Sequence, residues 1–152
     1  MNDLRYEQRP LSERLRLRDL VVRRLRGWFH ERGYVEVDTP QRVACPGIDV
    51  HLDAIPAGAG RHLATSPELE MKKLLAAGCA RIFQLSRAFR AGERGERHSP
   101  EFSILEWYAP GEDYRDLMAA TEELVAAAAA ALEAGGVATR LHAWPRPFQR
   151  SK

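Results

Sequence analysis

Two strand-like stretches, Phe83–Arg90 and Pro100–Tyr108, flank a charged loop that runs Gly92-Glu93-Arg94-Gly95-Glu96-Arg97-His98. No other feature restricts the possible folds of this chain as strongly. Side chains alternate between the two faces of a strand, so Gln84, Ser86, Ala88 and Arg90 share one face and Phe83, Leu85 and Phe89 the other. On the second stretch Phe102, Ile104, Glu106 and Tyr108 share a face, opposite Leu105 and Trp107. An antiparallel hairpin with Arg90 opposite Phe102 sets Gln84 against Tyr108 and Ser86 against Glu106. One face is then an apolar packing surface, and the other collects a cation, an aromatic ring, a carboxylate and a phenol. Such a face suits a ligand with a phosphate, a flat base and an amine. The plainer alternative is that Arg90 and Glu106 are cross-strand partners on a wet face. The mobile, cationic character expected of the loop, closed by Ser99-Pro100, favours a polyphosphate that must enter and leave.

The rest of the chain supplies helices around this hairpin. From Leu11 to Arg32, Leu17, Val21, Leu25 and Trp28 recur at helical spacing, with Leu20 and Phe29 widening the stripe. Ser12 is a suitable N-cap and Gly33 a suitable C′ residue. Tyr34 to Pro40 alternates and meets a proline, which predicts a strand. Gln41 to Gly60 is rich in Gly and Pro, with a short strand expected over Asp49 to Ile55. A second helix is predicted over Pro67 to Ala77, with Ser66 as cap and Gly78 as stop. A third is predicted from Tyr114 to Ala134, capped by Asp113 and closed by Gly135-Gly136. Strands separated by helices, with one long hairpin, predict an α+β fold whose antiparallel sheet is flanked by helices. There is no GxxxxGK[ST] segment and no Gly-rich turn between a strand and a helix, so any nucleotide must be held by other means.

Composition narrows the class without naming it. The 152 residues are 45% hydrophobic, enough for one modest core. A net charge of +2, from 23 basic and 21 acidic residues, does not announce a nucleic-acid binder. Arginines gather near the start, but Glu13 and Asp19 interrupt them, which reads as a solvated helix face; RNA binding through that helix is the alternative. Cys45 and Cys79 stand in no CxxC or Cys/His spacing and the five histidines are scattered, so no metal ligand set is expected. With no signal peptide and no membrane-length apolar run, the expected setting is cytoplasmic, with free thiols and no membrane partner.

The segment FRAGERGERHSPEFSILEWY resembles motif 2 of class II aminoacyl-tRNA synthetases in its lysyl form, an FR(N)E, a variable loop and then HNPEFTxLEWY. Gly33 to Pro40, after an amphipathic helix, resembles motif 1, which builds the dimer interface in that class. Thr65-Ser66-Pro67-Glu68 resembles the (T)SPE segment that contacts the amino acid. About ten residues precede the first helix, too few for the anticodon-binding domain of the tRNA enzymes. The resemblance is therefore closest to the free-standing, lysyl-synthetase-like ligases that modify elongation factor P, and tRNA binding is not expected.

The resemblance implies ATP-dependent activation of lysine or β-lysine as an acyl-adenylate and its transfer to a lysine of elongation factor P. Arg90 would be the catalytic residue, binding the α-phosphate of ATP where charge builds as a carboxylate attacks. Phe102 would stack on adenine, with Glu93, Arg97, His98 and Ser99 completing the nucleotide site. Ser66, Pro67 and Glu68 would meet the substrate amine, with Glu106 and Tyr108 lining the amino-acid pocket. The chain departs from the pattern at Arg90-Ala91-Gly92-Glu93, which carries its glutamate one place late, and at Ser99 and Ser103. Residues 1–138 correspond to the first half of the synthetase catalytic domain, with motifs 1 and 2, and 139–152 to an irregular tail. Motif 3 and the acidic residues that hold Mg²⁺ have no counterpart in this sequence, and Trp144-Pro145-Arg146 leads into an unrelated ending. A shortened gene, impaired turnover and poor solubility or obligate association are expected. A homodimer through the motif 1 helix is expected too. A non-catalytic dimerising or nucleotide-binding remnant and a lysyl-tRNA synthetase-like fragment are the alternatives.

Overall fold

The computed structural model describes residues 8–139. In chain order the elements are α1 (Leu11–Glu31), β1 (Val35–Glu36), β2 (Arg42–Val43), β3 (His62–Leu63), α2 (Glu68–Ala76), β4 (Ile82–Phe89), β5 (Glu101–Tyr108) and α3 (Tyr114–Ala134). The architecture is α+β, as expected. The chain divides into two compact units, residues 33–110 and residues 1–32 with 111–152. The expected tail segment around Trp144-Pro145-Arg146 lies outside the described residues.

The helical unit pairs α1 with α3. The N-cap of α1 lies two residues before the expected one: Arg14 N–H bonds the Pro10 carbonyl at 3.0 Å, so Pro10 takes the N-cap place and Ser12 lies inside the helix. Proline suits that place because its ring fixes φ and it has no N–H to satisfy. Gly33 follows with φ +74°, the left-handed conformation that glycine tolerates best. α3 has the expected bounds, because Asp113 accepts the N–H groups of Arg115 and Asp116 while Asp116 accepts the Asp113 N–H, a complete capping box.

The two helices run antiparallel. Arg16 near the start of α1 donates to the Gly135 carbonyl at 2.8 Å, and Arg32 just past its end pairs with Glu123 at 2.8 Å. A Cβ on Gly135 would stand 2.8 Å from Leu20 Cδ1, so glycine is what allows this approach. Several α1 arginines are paired within the helical unit, Arg23 with Asp19 and Arg24 with Glu31. This supports the solvated-face reading over a polyanion site.

The second unit holds a three-stranded sheet of order β1-β4-β5. β4 and β5 form the expected antiparallel hairpin, but β1 pairs with β4 in parallel, so the sheet is mixed rather than antiparallel. The chain reaches β4 from β1 through α2, and a crossover of that length permits parallel pairing. The predicted Tyr34–Pro40 strand is ladder-paired only over Val35–Glu36, with Val37 N–H reaching the Phe83 carbonyl beyond it.

The hairpin register differs from expectation by two residues. Ala88 rather than Arg90 faces Phe102, Gln84 rather than Ser86 faces Glu106, and Ile82 faces Tyr108. A slip of two leaves every side chain on its expected face, so the apolar pattern cannot choose between the two registers, whereas a slip of one would have inverted them all. The odd face is apolar at the Phe83 end, which is fully buried, but carries the exposed Arg87–Glu101 pair further along.

Asp49 to Ile55 is not a strand. Its start folds into a turn in which Asp49 accepts the His51 N–H, and its alternation has no ladder partner there. The small ladder in this region instead joins β2 to β3. Among the described residues no helix is long and apolar enough to cross a membrane.

Candidate functional site

Within the 33–110 unit, a cavity of about 410 Å³ lies between the loop from Pro46 to Leu52, the start of α2 and the end of β4. That size suits a small-molecule ligand. Its lining carries both signs of charge, Arg90 with Glu68 and Asp49.

A carboxylate cluster is built around Glu106, which Ser66 links to the cavity wall. Ser66 Oγ donates to Glu106 Oε2 at 2.8 Å, and Tyr108 OH donates to Glu106 Oε1 at 2.6 Å. Ser66 Oγ also accepts the Glu68 N–H at 3.1 Å, so it serves the helix start and the carboxylate together. Register and parity produce this cluster, because Glu106 and Tyr108 share the β5 face and Ser66 immediately precedes Pro67 at the head of α2. Burial, then the Glu106 hydrogen bond and the charges of Glu106 and Glu68, push the Tyr108 phenol well above its ordinary range. Tyr108 therefore stays a neutral donor. Glu68 Oε1 is held by Lys72 at 2.5 Å across one helical turn.

The cation side is looser. Arg90 Nε donates to the Thr65 carbonyl at 3.3 Å, and Nη1 lies 4.0 Å from Glu93 Oε1. The guanidinium carbon sits 4.8 Å from the centroid of the Phe102 ring, a cation–π contact. Glu93, late by one place in sequence, thus stands beside Arg90.

The structure brings together Ser66, Glu68, Glu106 and Tyr108, and separately Arg90, Glu93 and Phe102. Pro67 is buried at the head of α2. Arg97, His98 and Ser99 are exposed in the hairpin loop, where Gly95 and His98 exchange two 3.3 Å backbone bonds. Sequence reasoning missed Gly47 and Asp49 as parts of the cavity wall, which also includes Thr65 of the Thr65–Glu68 segment. Gly47 leaves a signal in retrospect: a Cβ there would stand 2.6 Å from Thr65 Oγ1, which donates to the Pro46 carbonyl at 2.8 Å. Among the described residues no group of three His, Cys, Asp or Glu gathers to hold a metal ion.

This fold, with a motif-bearing hairpin beneath an amino-acid-sized cavity, defines a class. The family model "tRNA synthetases class II (D, K and N)" matches residues 2–152, and the chain belongs to that family. Among curated proteins, it is 41% identical over 122 residues to the elongation factor P–(R)-β-lysine ligase of Vibrio vulnificus, covering 74% of this chain and 38% of that one. It is 42% identical over 120 residues to the ligase of the same name from Pseudoalteromonas translucida, covering 73% of this chain and 37% of that one. The chain thus spans little more than a third of the length of these relatives. Among solved structures, the asparaginyl-tRNA synthetase of Pyrococcus horikoshii complexed with asparaginyl-adenylate superposes with a TM-score of 0.73 at 26% identity. The match covers 82% of this chain and 30% of that one.

Proposed function

We propose that this chain supplies the amino-acid pocket and the α-phosphate contact of an ATP-dependent, adenylate-forming ligase that acts on lysine or β-lysine and delivers it to elongation factor P. One observation carries the reading: Arg90 lines one cavity with Glu68 and Ser66, and Ser66 also braces the Glu106 carboxylate next to it. That polarity fits a substrate with an acid at one end and an amine at the other. The acid attacks the α-phosphorus of ATP, a bond forms to phosphorus and pyrophosphate leaves. Arg90 neutralises the charge that builds on the phosphoryl oxygens. Glu106, with Tyr108 and Ser66, holds the distant ammonium, since a half-buried carboxylate is stabilised by a cation opposite it. Glu68 meets the nearer amine, exchanging its Lys72 partner for the ligand. Phe102 stacks on the adenine once the guanidinium leaves its ring, and Arg97, His98 and Ser99 meet the outer phosphates as the loop closes.

The names of the two curated relatives and the adenylate in the solved neighbour support this reading. Leu11 and Leu15, 62% and 58% exposed on α1, support self-association through that helix. The free, exposed thiols of Cys45 and Cys79 suit a reducing cytoplasm. Lysine-dependent exchange of pyrophosphate into ATP tests the proposal. Exchange above background is expected. Binding of ATP and lysine without exchange would reduce the chain to a ligand-binding module, and binding of neither would remove the reading.

A further inference from the structure

Beside the Glu106 cluster, the same sheet face and the segment that follows β1 hold three polar atoms that the proposed chemistry does not use. Gln84 is 1% exposed. Its Oε1 accepts the Thr39 N–H at 3.2 Å, which fixes the amide orientation and leaves Nε2 without a partner among the described residues. Ser86 Oγ and Thr39 Oγ1 are likewise buried and unpartnered. They are neighbours: Gln84 is the direct cross-strand partner of Glu106, Ser86 follows two residues on along the same face, and Thr39 is bonded to Gln84. One such atom is an ordinary imperfection, but three together beside a ligand carboxylate constitute a site.

Their chemistry specifies the occupant. The Gln84 amide can only donate, and the two hydroxyls can each accept. One water satisfies all three by accepting from Gln84 and donating to Ser86 and Thr39, within the two to four partners a buried water takes. It keeps one lone pair for a further donor. Each Glu106 oxygen already accepts one hydroxyl, from Ser66 or Tyr108, and retains capacity for a cation. A primary ammonium brings three N–H donors, of which the carboxylate and the Tyr108 oxygen satisfy two.

We infer that Gln84, Ser86 and Thr39 hold a water that accepts the third N–H of the substrate ammonium. Gln84 and Ser86 are then positioning residues that set a preference for primary over N-methylated amines. The inference rests on the amine reading of Glu106 given above.

Two measurements test it separately. A high-resolution crystal structure of the ligand-free chain is expected to show a water within hydrogen-bond distance of Gln84 Nε2 and Ser86 Oγ. A dry or side-chain-filled floor overturns the inference whatever the chain binds. Calorimetric titration with L-lysine and with Nε-methyl-L-lysine gives the second measurement. Ser86→Ala is expected to weaken L-lysine by about fivefold, the scale of one water-mediated bond, and to shrink its preference over the methylated amine. Ser86→Thr, which keeps the hydroxyl, is expected to retain that preference. An unchanged preference in Ser86→Ala overturns the inference. A chain that holds the water but binds neither amine refutes the amine reading itself and removes this role from the water with it.

Discussion

In the Glu106 cluster, two hydroxyls grip one carboxylate through bonds of 2.6 and 2.8 Å. At the Arg90 end, the guanidinium has a 3.3 Å bond to a carbonyl, a 4.0 Å ion pair and a ring contact. Short bonds to an ionised acceptor are strong and directional, so the Glu106 carboxylate is held in one orientation. Under the proposed function the cation end rearranges: a base stacking on the face of Phe102 that the guanidinium now covers displaces it toward the phosphate. Under the proposed function the two ends contribute differently, one setting which amino acid is held and the other how fast it reacts.

Four substitutions break or sharpen that contrast. Arg90→Ala is expected to lower lysine-dependent pyrophosphate exchange by about 10²- to 10³-fold. Calorimetry should show L-lysine affinity changing far less, and a parallel loss of lysine binding would erase the distinction between the ends. Glu106→Ala leaves two hydroxyls without their acceptor and the ammonium without its counter-charge. L-lysine binding is expected to weaken by roughly 10²-fold, with ATP affinity nearly unchanged in the same titration.

Tyr108→Phe removes one hydrogen bond to a charged group, worth about 1.5–3 kcal/mol, and its signature lies in the pH dependence. The folded Tyr108 pKa is raised, so its contribution to stability is complete below the ordinary tyrosine value of about 10. It is lost as pH rises through the folded value. Urea unfolding across the alkaline range should show a shallower decline for Tyr108→Phe than for the parent. Arg97→Ala, in the exposed loop, should weaken ATP by less than about threefold, with the difference vanishing at high salt. A larger loss would mean that the loop is already part of the built site.

The sequence announced the faces of this site better than its distances. The face assignment of Gln84, Ser86, Glu106 and Tyr108 survived because strand parity is set by the apolar pattern. Their register was two residues off because turn geometry sets it, and a seven-residue charged loop leaves no residue-level mark of where pairing resumes. α3 was legible to the residue because Asp113 and Asp116 form a capping box. β2 and β3, at two residues each, are too short to carry any period. Asp49 to Ile55 alternates like a strand, yet partners rather than alternation decide strand formation. The cavity wall from Pro46 to Asp49 escaped notice because its contacts are to Thr65, a residue distant in sequence.

Thr65 binds the wall loop twice, through its N–H and hydroxyl to the Pro46 carbonyl, and offers its own carbonyl to Arg90. A single residue thus anchors both the enclosure and the aim of the charge inside it. The side-chain-free surface of Gly47 is what lets the loop settle there. Crowding that contact would act like loosening a gunsight mount, leaving Arg90 present and charged but pointed wrong.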